Sequence, residues 1–141
     1  MLSGSLLSAQ QQSIKDGVYI EAQAQAGKLL YEERCQHCHD LRFFEGRLIS
    51  FTGMTVLDLW YAMLGKMPAD NPGSLKDSEY LEIIAYVLSQ NGFPAGETEL
   101  VPSNQLGKIR ILTPQWAQAA QELWETVRYK TRLLSANLLS Y

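Results

Sequence analysis

The chain has 141 residues, 46% of them hydrophobic, and its formal net charge is −3. This size and composition predict one domain of ordinary size with an apolar core, and the negative charge argues against nucleic acid as a partner. No stretch reaches the roughly 20 apolar residues of a membrane span, so the sequence predicts no integral membrane segment.

The charge is distributed unevenly along the chain. Residues 1–107 carry 7 Lys and Arg against 13 Asp and Glu, a net of −6, whereas residues 108–141 carry 5 against 2, a net of +3. An acidic body followed by a basic tail indicates two surfaces with different tasks.

The N-terminal segment, residues 1–17, is rich in Ser and Gln and shows little pattern. We predict that it is flexible or lies over the surface. Two interpretations of its start stay open: Leu6-Leu7-Ser8-Ala9 resembles the end of an incomplete export signal, and the alternative is a disordered N-terminus without that role.

A first helix is predicted from Glu21 to Cys35, where most residues are strong helix formers. Its predicted inner stripe consists of Gly27, Leu30, Tyr31 and Arg34 or Cys35. Gly27 lies mid-helix, where glycine costs roughly 1 kcal/mol relative to alanine. A close crossing with a later helix, with Tyr86 beside the glycine, would explain this cost; an incidental glycine is the alternative.

Cys35-Gln36-His37-Cys38-His39 follows this helix directly. Such a motif is typical of covalent haem c attachment, in which each thiol forms a thioether with one haem vinyl group and the following histidine binds the iron. On a helical turn, residues i and i+3 face the same way, so Cys35 and Cys38 can meet one porphyrin edge. A redox dithiol and half of a zinc site are the alternatives, although the dithiol does not need His39 and the chain has no third cysteine for zinc.

The segment from Asp40 to Thr55 is rich in aromatic residues and glycine, and we predict an irregular loop that wraps a haem edge. A short helix, Val56–Leu64, should follow it, capped by Thr55 and ended by Gly65.

Met67-Pro68 supplies the second candidate site. A low-spin electron-transfer haem needs a sixth iron ligand, and a methionine thioether is the usual partner of histidine in cytochromes c. Met67 lies in a predicted loop stiffened by Pro68, whereas Met54 and Met63 are more typical of core packing. The predicted iron ligands are therefore His39 and Met67, with an open or water-bound position as the alternative.

After a turn at 71–74, the sequence predicts a firm helix over Asp77–Gln90. Acidic residues in its first turn suit the helix dipole, and Asn91-Gly92 should end it. Its predicted apolar face consists of Leu81, Ile84, Ala85 and Leu88.

The last predicted element is a long amphipathic helix in residues 113–141, with Thr113 as N-cap and Pro114 as the first helical residue. Apolar residues recur at helical spacing as far as Ser140, namely Trp116, Ala120, Leu123, Trp124, Val127, Leu134 and Leu138. Such a helix of about 27 residues would span roughly 40 Å. Three interpretations stay open: a helix folded back over the domain, a helix that docks to another protein or to its own copy, and a helix on a membrane surface.

Taken together, these motifs resemble class I cytochromes c. The resemblance rests on Gly27 and Tyr31 before the haem motif, Met67-Pro68 after it, and Ile84-Ala85-Tyr86 in the closing helix. More narrowly, residues 16–112 are similar to the monohaem cytochrome c modules associated with pyrroloquinoline-quinone-dependent dehydrogenases, as in Asp16-Gly17-Val18-Tyr19 and Asn91-Gly92-Phe93-Pro94-Ala95-Gly96. The resemblance implies an all-α class I cytochrome c fold, with about three to five helices around one haem, plus the additional C-terminal helix.

The domain organisation expected from this resemblance has three parts: a flexible segment 1–17, a monohaem cytochrome c domain 18–112 and the C-terminal helix 113–141. Covalent haem c held by Cys35, Cys38, His39 and Met67 implies an electron carrier or electron-transfer subunit rather than an enzyme. It would be exported to the periplasm and carry single electrons between a dehydrogenase, such as a quinoprotein, and the respiratory chain through a terminal oxidase or another acceptor. The alternatives are a haem subunit of a larger assembly or polymer organised by the C-terminal helix, and a gas-binding haem protein with an open distal site.

The sequence departs from the family pattern just after the haem histidine. Family members often have Gly and Pro there, and the proline carbonyl accepts from the histidine ring, but residues 40–55 contain no proline. We expect another backbone carbonyl in this segment to orient His39, and the short gap of 28 residues to Met67 predicts trimmed loops. Trp60 or Arg42 is a candidate to bond a haem propionate, with a plain core or surface role as the alternative for each.

Overall fold

A computed structural model of the chain describes residues 11–138, and side chains are described for residues 11–133. The helices are α1 (Glu21–Arg34), α2 (Leu41–Ser50), α3 (Val56–Leu64), α4 (Asp77–Gln90), a short 3-10 helix (Asn104–Lys108) and α5 (Gln115–Leu138). Two isolated β-bridges occur within residues 11–138, and no strand does. The predicted all-α class is therefore confirmed. Over the same residues, no helix combines the length and the apolar character that crossing a membrane requires.

The tightest packing in the molecule is the crossing of α1 and α4 at Gly27. A Cβ added to Gly27 would lie 1.8 Å from the carbonyl oxygen of Glu82, so only glycine lets the two helices approach this closely. The predicted crossing is thus confirmed, but the glycine meets the backbone of Glu82 rather than the side chain of Tyr86. One turn further along, the rings of Tyr31 and Tyr86 pack with their centroids 5.4 Å apart.

Helix α3 begins and ends where the sequence predicts. The Thr55 hydroxyl accepts from the backbone N–H of Asp58 at 3.3 Å, and the Asp58 carboxylate accepts from the backbone N–H of Thr55 at 2.8 Å. This reciprocal capping box satisfies donors that the first turn would otherwise leave unpaired. Gly65 follows the last helical residue, and its N–H donates to Tyr61.

The prediction of an irregular loop over Asp40–Thr55 is wrong, because ten of these residues form α2. Asp40 caps this helix by accepting from the backbone N–H of Phe43 at 3.0 Å. Leu41, Phe44 and Leu48 recur at a helical spacing of three and four, and Leu48 is buried. The aromatic residues and Gly46 suggested a loop, but Gly46 lies inside the helix and its φ is not positive.

Of the two interpretations of residues 1–17, flexible or lying over the surface, the described part, residues 11–17, agrees with the second, because it packs against the rest of the chain. Ile14 is fully buried, its N–H donates to the Arg110 carbonyl at 3.0 Å, and the Arg110 N–H donates to Gln12 at 2.9 Å. Tyr19, a few residues on, is buried and its hydroxyl donates to the Phe93 carbonyl at 2.7 Å. The packed part of the chain, here called the body, therefore spans residues 12–114, and residues 1–10 lie outside the described residues.

Helix α5 leaves the body and extends away from it. It begins at Gln115, so the prediction of Thr113 as N-cap and Pro114 as first helical residue is wrong by one position; Pro114 is buried and its carbonyl accepts from the N–H of Ala117 at 3.1 Å. At 1.5 Å per residue its 24 residues span roughly 36 Å. Every residue from 118 to 133 is exposed, so the helix is not folded back over the body, and the predicted end at Ser140 lies outside the described residues.

Candidate cofactor site

The Cys35–His39 motif forms a tight turn at the end of α1. The N–H of Cys35 donates to Tyr31 at 2.9 Å, which continues the helical ladder, and the N–H groups of Cys38 and His39 then both donate to the Cys35 carbonyl, at 3.1 and 2.9 Å. A single turn of the backbone therefore carries both thiols, those of Cys35 and Cys38. Cys35 is half-buried, Cys38 is exposed, and both are free.

A cavity of about 650 Å³ opens beside this turn. Its volume lies within the range of about 300–1,000 Å³ that is usual for cofactor and small-molecule sites. Its lining is mostly apolar and comes from α2, α3, α4 and two loops, and it includes Cys35, Cys38, His39, Phe43, Phe44, Leu48, Phe51, Leu59, Ala62, Met63, Met67, Pro68, Ile84 and Val87. All four residues predicted to bind the cofactor therefore line one cavity, although they come from two segments 28 residues apart.

Two of the three internal methionines reach this cavity. Met67 and Met63 line it, whereas Met54 is exposed and does not. Met67 lies in the loop between α3 and α4, where its N–H donates to Met63 at 2.8 Å and its carbonyl accepts from the buried Tyr80 hydroxyl at 2.6 Å. The backbone of Met67 is thus fixed from both sides, as a ligand-bearing loop requires.

His39 is held by its backbone and by ring stacking. The Tyr31 hydroxyl donates to the His39 carbonyl, and the imidazole stacks on the Phe43 ring with centroids 4.2 Å apart. Phe44 contacts the same imidazole edge-on, at 5.9 Å. A hydrogen bond from the His39 ring to a backbone carbonyl of residues 40–55 was expected, but within residues 11–138 the ring makes no such bond. The aromatic residues of α2 hold the ring instead.

Two tyrosines that the sequence did not single out as site residues thus support the two predicted ligands. Tyr31 bonds the carbonyl of His39, and Tyr80 bonds the carbonyl of Met67. Both side chains are buried, and burial together with the neighbouring Cys35 raises the pKa of Tyr31 to about 12. A tyrosine that stays protonated remains a hydrogen-bond donor. In the sequence, the position of Tyr31 on the predicted inner stripe of α1 could have pointed to its role. No sequence pattern pointed to Tyr80.

More positively than negatively charged side chains line the cavity. Arg34, Arg47 and Lys66 line it together with one carboxylate, Asp70. Arg42, predicted from sequence to bond a propionate, lies outside this cavity and pairs with Asp40 at 2.8 Å.

Trp60, the other predicted propionate partner, is a buried residue of α3. Its indole N–H has no hydrogen-bond partner among the described residues. Trp60 does not line the cavity beside Cys35–His39, so the structure gives no support for a bond between its indole and a haem carboxylate. The basic side chains that do line the cavity, Arg34, Arg47 and Lys66, would suit the carboxylates of a haem.

The surroundings of Cys35 differ from those of a reactive cysteine in a redox dithiol. Burial raises the pKa of the Cys35 thiol, and the nearby Arg34 offsets this only in part. Reactive cysteines in Cys-x-x-Cys motifs have a lowered pKa instead, because the thiolate is the nucleophile and the metal ligand. The raised pKa of Cys35 therefore disfavours the redox-dithiol interpretation.

Comparison with known proteins gives no match for this chain, whether against family models, curated proteins or solved structures.

Proposed function

We propose that this protein is an electron carrier or electron-transfer subunit that holds one haem c in the cavity beside Cys35–His39, with a class I cytochrome c fold. The observation that carries the proposal is that Cys35, Cys38, His39 and Met67 line the same apolar cavity. The Cys-x-x-Cys-His spacing is specific for covalent haem, and the cavity has the size and the apolar lining that a porphyrin requires.

The four residues would bind the haem in two ways. The Cys35 and Cys38 thiols would each form a thioether to one vinyl group, and the His39 imidazole and the Met67 sulfur would bind the iron. When bound, the haem supplies reversible one-electron chemistry at its iron. The soft Met67 thioether favours the ferrous state relative to a second imidazole, and the apolar lining disfavours the charged ferric state, so both raise the reduction potential.

The remaining side chains of the site position these ligands and neutralise charge. Tyr31 and Tyr80 fix the backbones of the two ligand segments, and Arg34, Arg47 and Lys66 line the cavity, where they would be available to pair with the haem carboxylates. With His39 and Met67 both binding the iron, no position on it would be left for a substrate, so we propose electron transfer rather than catalysis.

Partners and location follow from this proposal. Covalent haem is attached outside the cytoplasmic membrane in bacteria, so we propose a periplasmic protein that carries single electrons between a dehydrogenase, such as a quinoprotein, and a terminal oxidase or other acceptor. The gas-binding alternative depends on an open sixth position. Met63, which also lines the cavity, is the second residue able to fill that position.

A methionine series tests this proposal directly. The chain and its Met67→Ala, Met63→Ala and Met54→Ala variants would be produced in a host that exports proteins and attaches haem c, and each would be analysed by intact mass and by carbon monoxide titration of the reduced form. We expect the mass of the polypeptide plus one haem in all four, and strong carbon monoxide binding only in Met67→Ala. The Met63→Ala variant controls for loss of apolar volume in the cavity, and the exposed Met54→Ala controls for the substitution itself.

Three results would contradict the proposal in whole or in part. A polypeptide mass without haem in the unsubstituted chain would remove its basis. Ready uptake of carbon monoxide by the unsubstituted chain would instead favour the gas-binding alternative, and an opened site in Met63→Ala but not Met67→Ala would move the sixth ligand to Met63.

A further inference from the structure

The imidazole of His39 lies face to face with the ring of Phe43. Their centroids are 4.2 Å apart and their planes differ by 20°, whereas Phe44 meets the same imidazole edge-on at 5.9 Å. Aromatic pairs prefer defined relative orientations, so a stacked ring favours one orientation of its neighbour. His39 and Phe43 both line the cavity beside the two cysteines. The plane of the predicted iron ligand therefore follows the face of one phenylalanine.

Histidines that bind a metal are usually oriented in another way. The second ring N–H donates to a carboxylate, a backbone carbonyl or water, and this bond fixes both the tautomer and the orientation of the ring. Within residues 11–138, the His39 ring has ring contacts and no hydrogen bond to a protein acceptor. A stacked phenyl ring can hold the plane of an imidazole, but it does not accept the in-plane N–H. Among the described residues, the orienting of His39 is thus left to ring contacts.

Phe43 is itself held by the first turn of α2. Its backbone N–H donates to the Asp40 carboxylate at 3.0 Å and to the Asp40 carbonyl at 3.1 Å. Asp40 is the N-cap of α2, and its carboxylate also pairs with Arg42 at 2.8 Å. Because Asp40 directly follows His39 in the chain, this cap fixes the start of α2 next to the histidine. The backbone that carries the stacked ring is therefore tied to the backbone that carries the ligand.

Further aromatic contacts support the ring of Phe43 from the side. Phe44 packs edge-on against Phe43, with centroids 5.3 Å apart, and edge-on against Tyr31 of α1, with centroids 5.4 Å apart. The Tyr31 hydroxyl in turn donates to the backbone carbonyl of His39. The histidine is thus held at two points, its backbone by Tyr31 and its ring by Phe43, and Phe44 connects the two aromatic residues that hold it.

From these contacts we propose that Phe43 is the positioning residue of His39: its ring sets the plane of the imidazole that binds the haem iron, in place of a hydrogen bond to a backbone carbonyl. The inference rests on the proposed function, because it concerns the chain with haem bound. Side-chain packing that holds a ligand in one orientation keeps a site preorganised. The orientation of His39 therefore depends on a side chain that can be substituted without changing any iron ligand.

Proton NMR of the ferric, haem-loaded chain tests this role. In low-spin ferric haem, the spread of the four haem methyl resonances depends on the orientation of the axial imidazole plane. Phe43→Leu keeps apolar volume but removes the aromatic face, and an aromatic stack favours one orientation by about twofold to tenfold in population. We therefore expect Phe43→Leu to change this spread. Phe43→Tyr keeps the face, and because Phe43 is 43% exposed, its hydroxyl can reach solvent, so this variant should retain the unsubstituted pattern.

Phe93→Leu is the matched control for loss of an aromatic ring. Phe93 is buried in the body but does not line the cavity, so its substitution should lower stability and leave the haem methyl resonances unchanged. An unchanged spread in Phe43→Leu, or the same change in Phe43→Leu and Phe93→Leu, would overturn the role of Phe43 while leaving the proposed function intact. An unsubstituted chain without haem, or with ferric haem that is not low-spin, would instead overturn the proposed function and this inference with it.

Discussion

The body and α5 are both helical, but different forces hold them. In the body, α1 and α4 cross in direct backbone contact at Gly27, and buried side chains such as Ile14 join segments that are distant in sequence. In α5, every residue from 118 to 133 is exposed, and the helix rests on intrinsic propensity from Ala, Gln, Glu and Leu. An isolated helix is only marginally stable in water. Substitutions in α5 should therefore reduce the free energy of unfolding less than substitutions in the body do, and contact with another molecule would stabilise α5 more.

The difference between the body and α5 predicts where substitutions should affect stability and cofactor binding. The cavity and its ligands depend on the body, because the two tyrosines that hold the ligand segments, Tyr31 and Tyr80, are on α1 and α4. A change that separates α1 from α4 should therefore damage stability and cofactor binding together. A change in α5 should leave both intact.

Gly27→Ala should give the largest effect of any single substitution discussed here. The new Cβ would lie 1.8 Å from the Glu82 carbonyl oxygen, and that oxygen belongs to a helix backbone that cannot move without separating α1 from α4. We expect a loss of at least about 3 kcal/mol in the free energy of unfolding, measured by urea denaturation of preparations with equal haem content.

The control for this substitution is Gly46→Ala in the middle of α2. A Cβ there meets nothing within 4 Å, so the substitution should stabilise the protein by about 0.5–1 kcal/mol through helix propensity. Equal unfolding midpoints for the two variants would show that the α1–α4 crossing is not the constraint that the structure indicates.

The helices with local signals could be predicted from the sequence. Helix α3 has its cap at Thr55 and its stop at Gly65, and α4 has an acidic first turn and a stop at Asn91-Gly92, so their bounds follow from neighbouring residues. The burial of Ile14 could not be predicted, because it depends on pairing with Arg110, almost a hundred residues away. Helix α2 was missed because the weight given to glycine and aromatic residues outweighed its helical spacing.

Some residues of the candidate site could likewise be predicted from the sequence, and others could not. Cys35, Cys38 and His39 could be predicted as haem-binding residues because covalent haem requires a fixed local spacing, and the loop methionine Met67 could be predicted as their partner. The residues around them depend on folding: once α2 is a helix, Arg47 lines the cavity and Arg42 turns away to Asp40. The bonds from tyrosine hydroxyls to backbone carbonyls leave no sequence pattern, because any residue supplies the acceptor.

Tyr31→Phe should give an intermediate effect, and one that depends on pH. Removing its hydroxyl leaves the His39 carbonyl without this donor, which should cost about 1 kcal/mol. Burial raises the pKa of Tyr31 to about 12, above the value of about 10 for an unfolded tyrosine. The folded state thus favours the protonated hydroxyl, so its contribution is complete below pH 10 and is lost as the pH rises towards 12.

Urea unfolding at pH 7, 10 and 12 measures this dependence. The free-energy difference between the unsubstituted chain and Tyr31→Phe should shrink over the upper interval, while part of the alkaline loss remains in both because burial also raises the pKa of Tyr19 and Tyr86. Tyr129→Phe, at an exposed position of α5, should match the unsubstituted chain throughout. A difference between Tyr31→Phe and the unsubstituted chain that stays constant from pH 7 to 12 would rule out this role for the hydroxyl.

Removal of residues 119–141 should have the smallest effect on the body. The cut follows Gln118, whose side-chain amide donates to the Thr113 carbonyl at 3.1 Å, and keeps the buried Pro114, so the end of the body stays closed. At a concentration at which the full chain is monomeric, we expect the free energy of unfolding to change by no more than about 0.5 kcal/mol, since surface changes usually fall within this range. A truncated body that unfolds several kcal/mol more easily when both chains are monomeric would mean that α5 stabilises its own chain, and the contrast between the two regions would then fail.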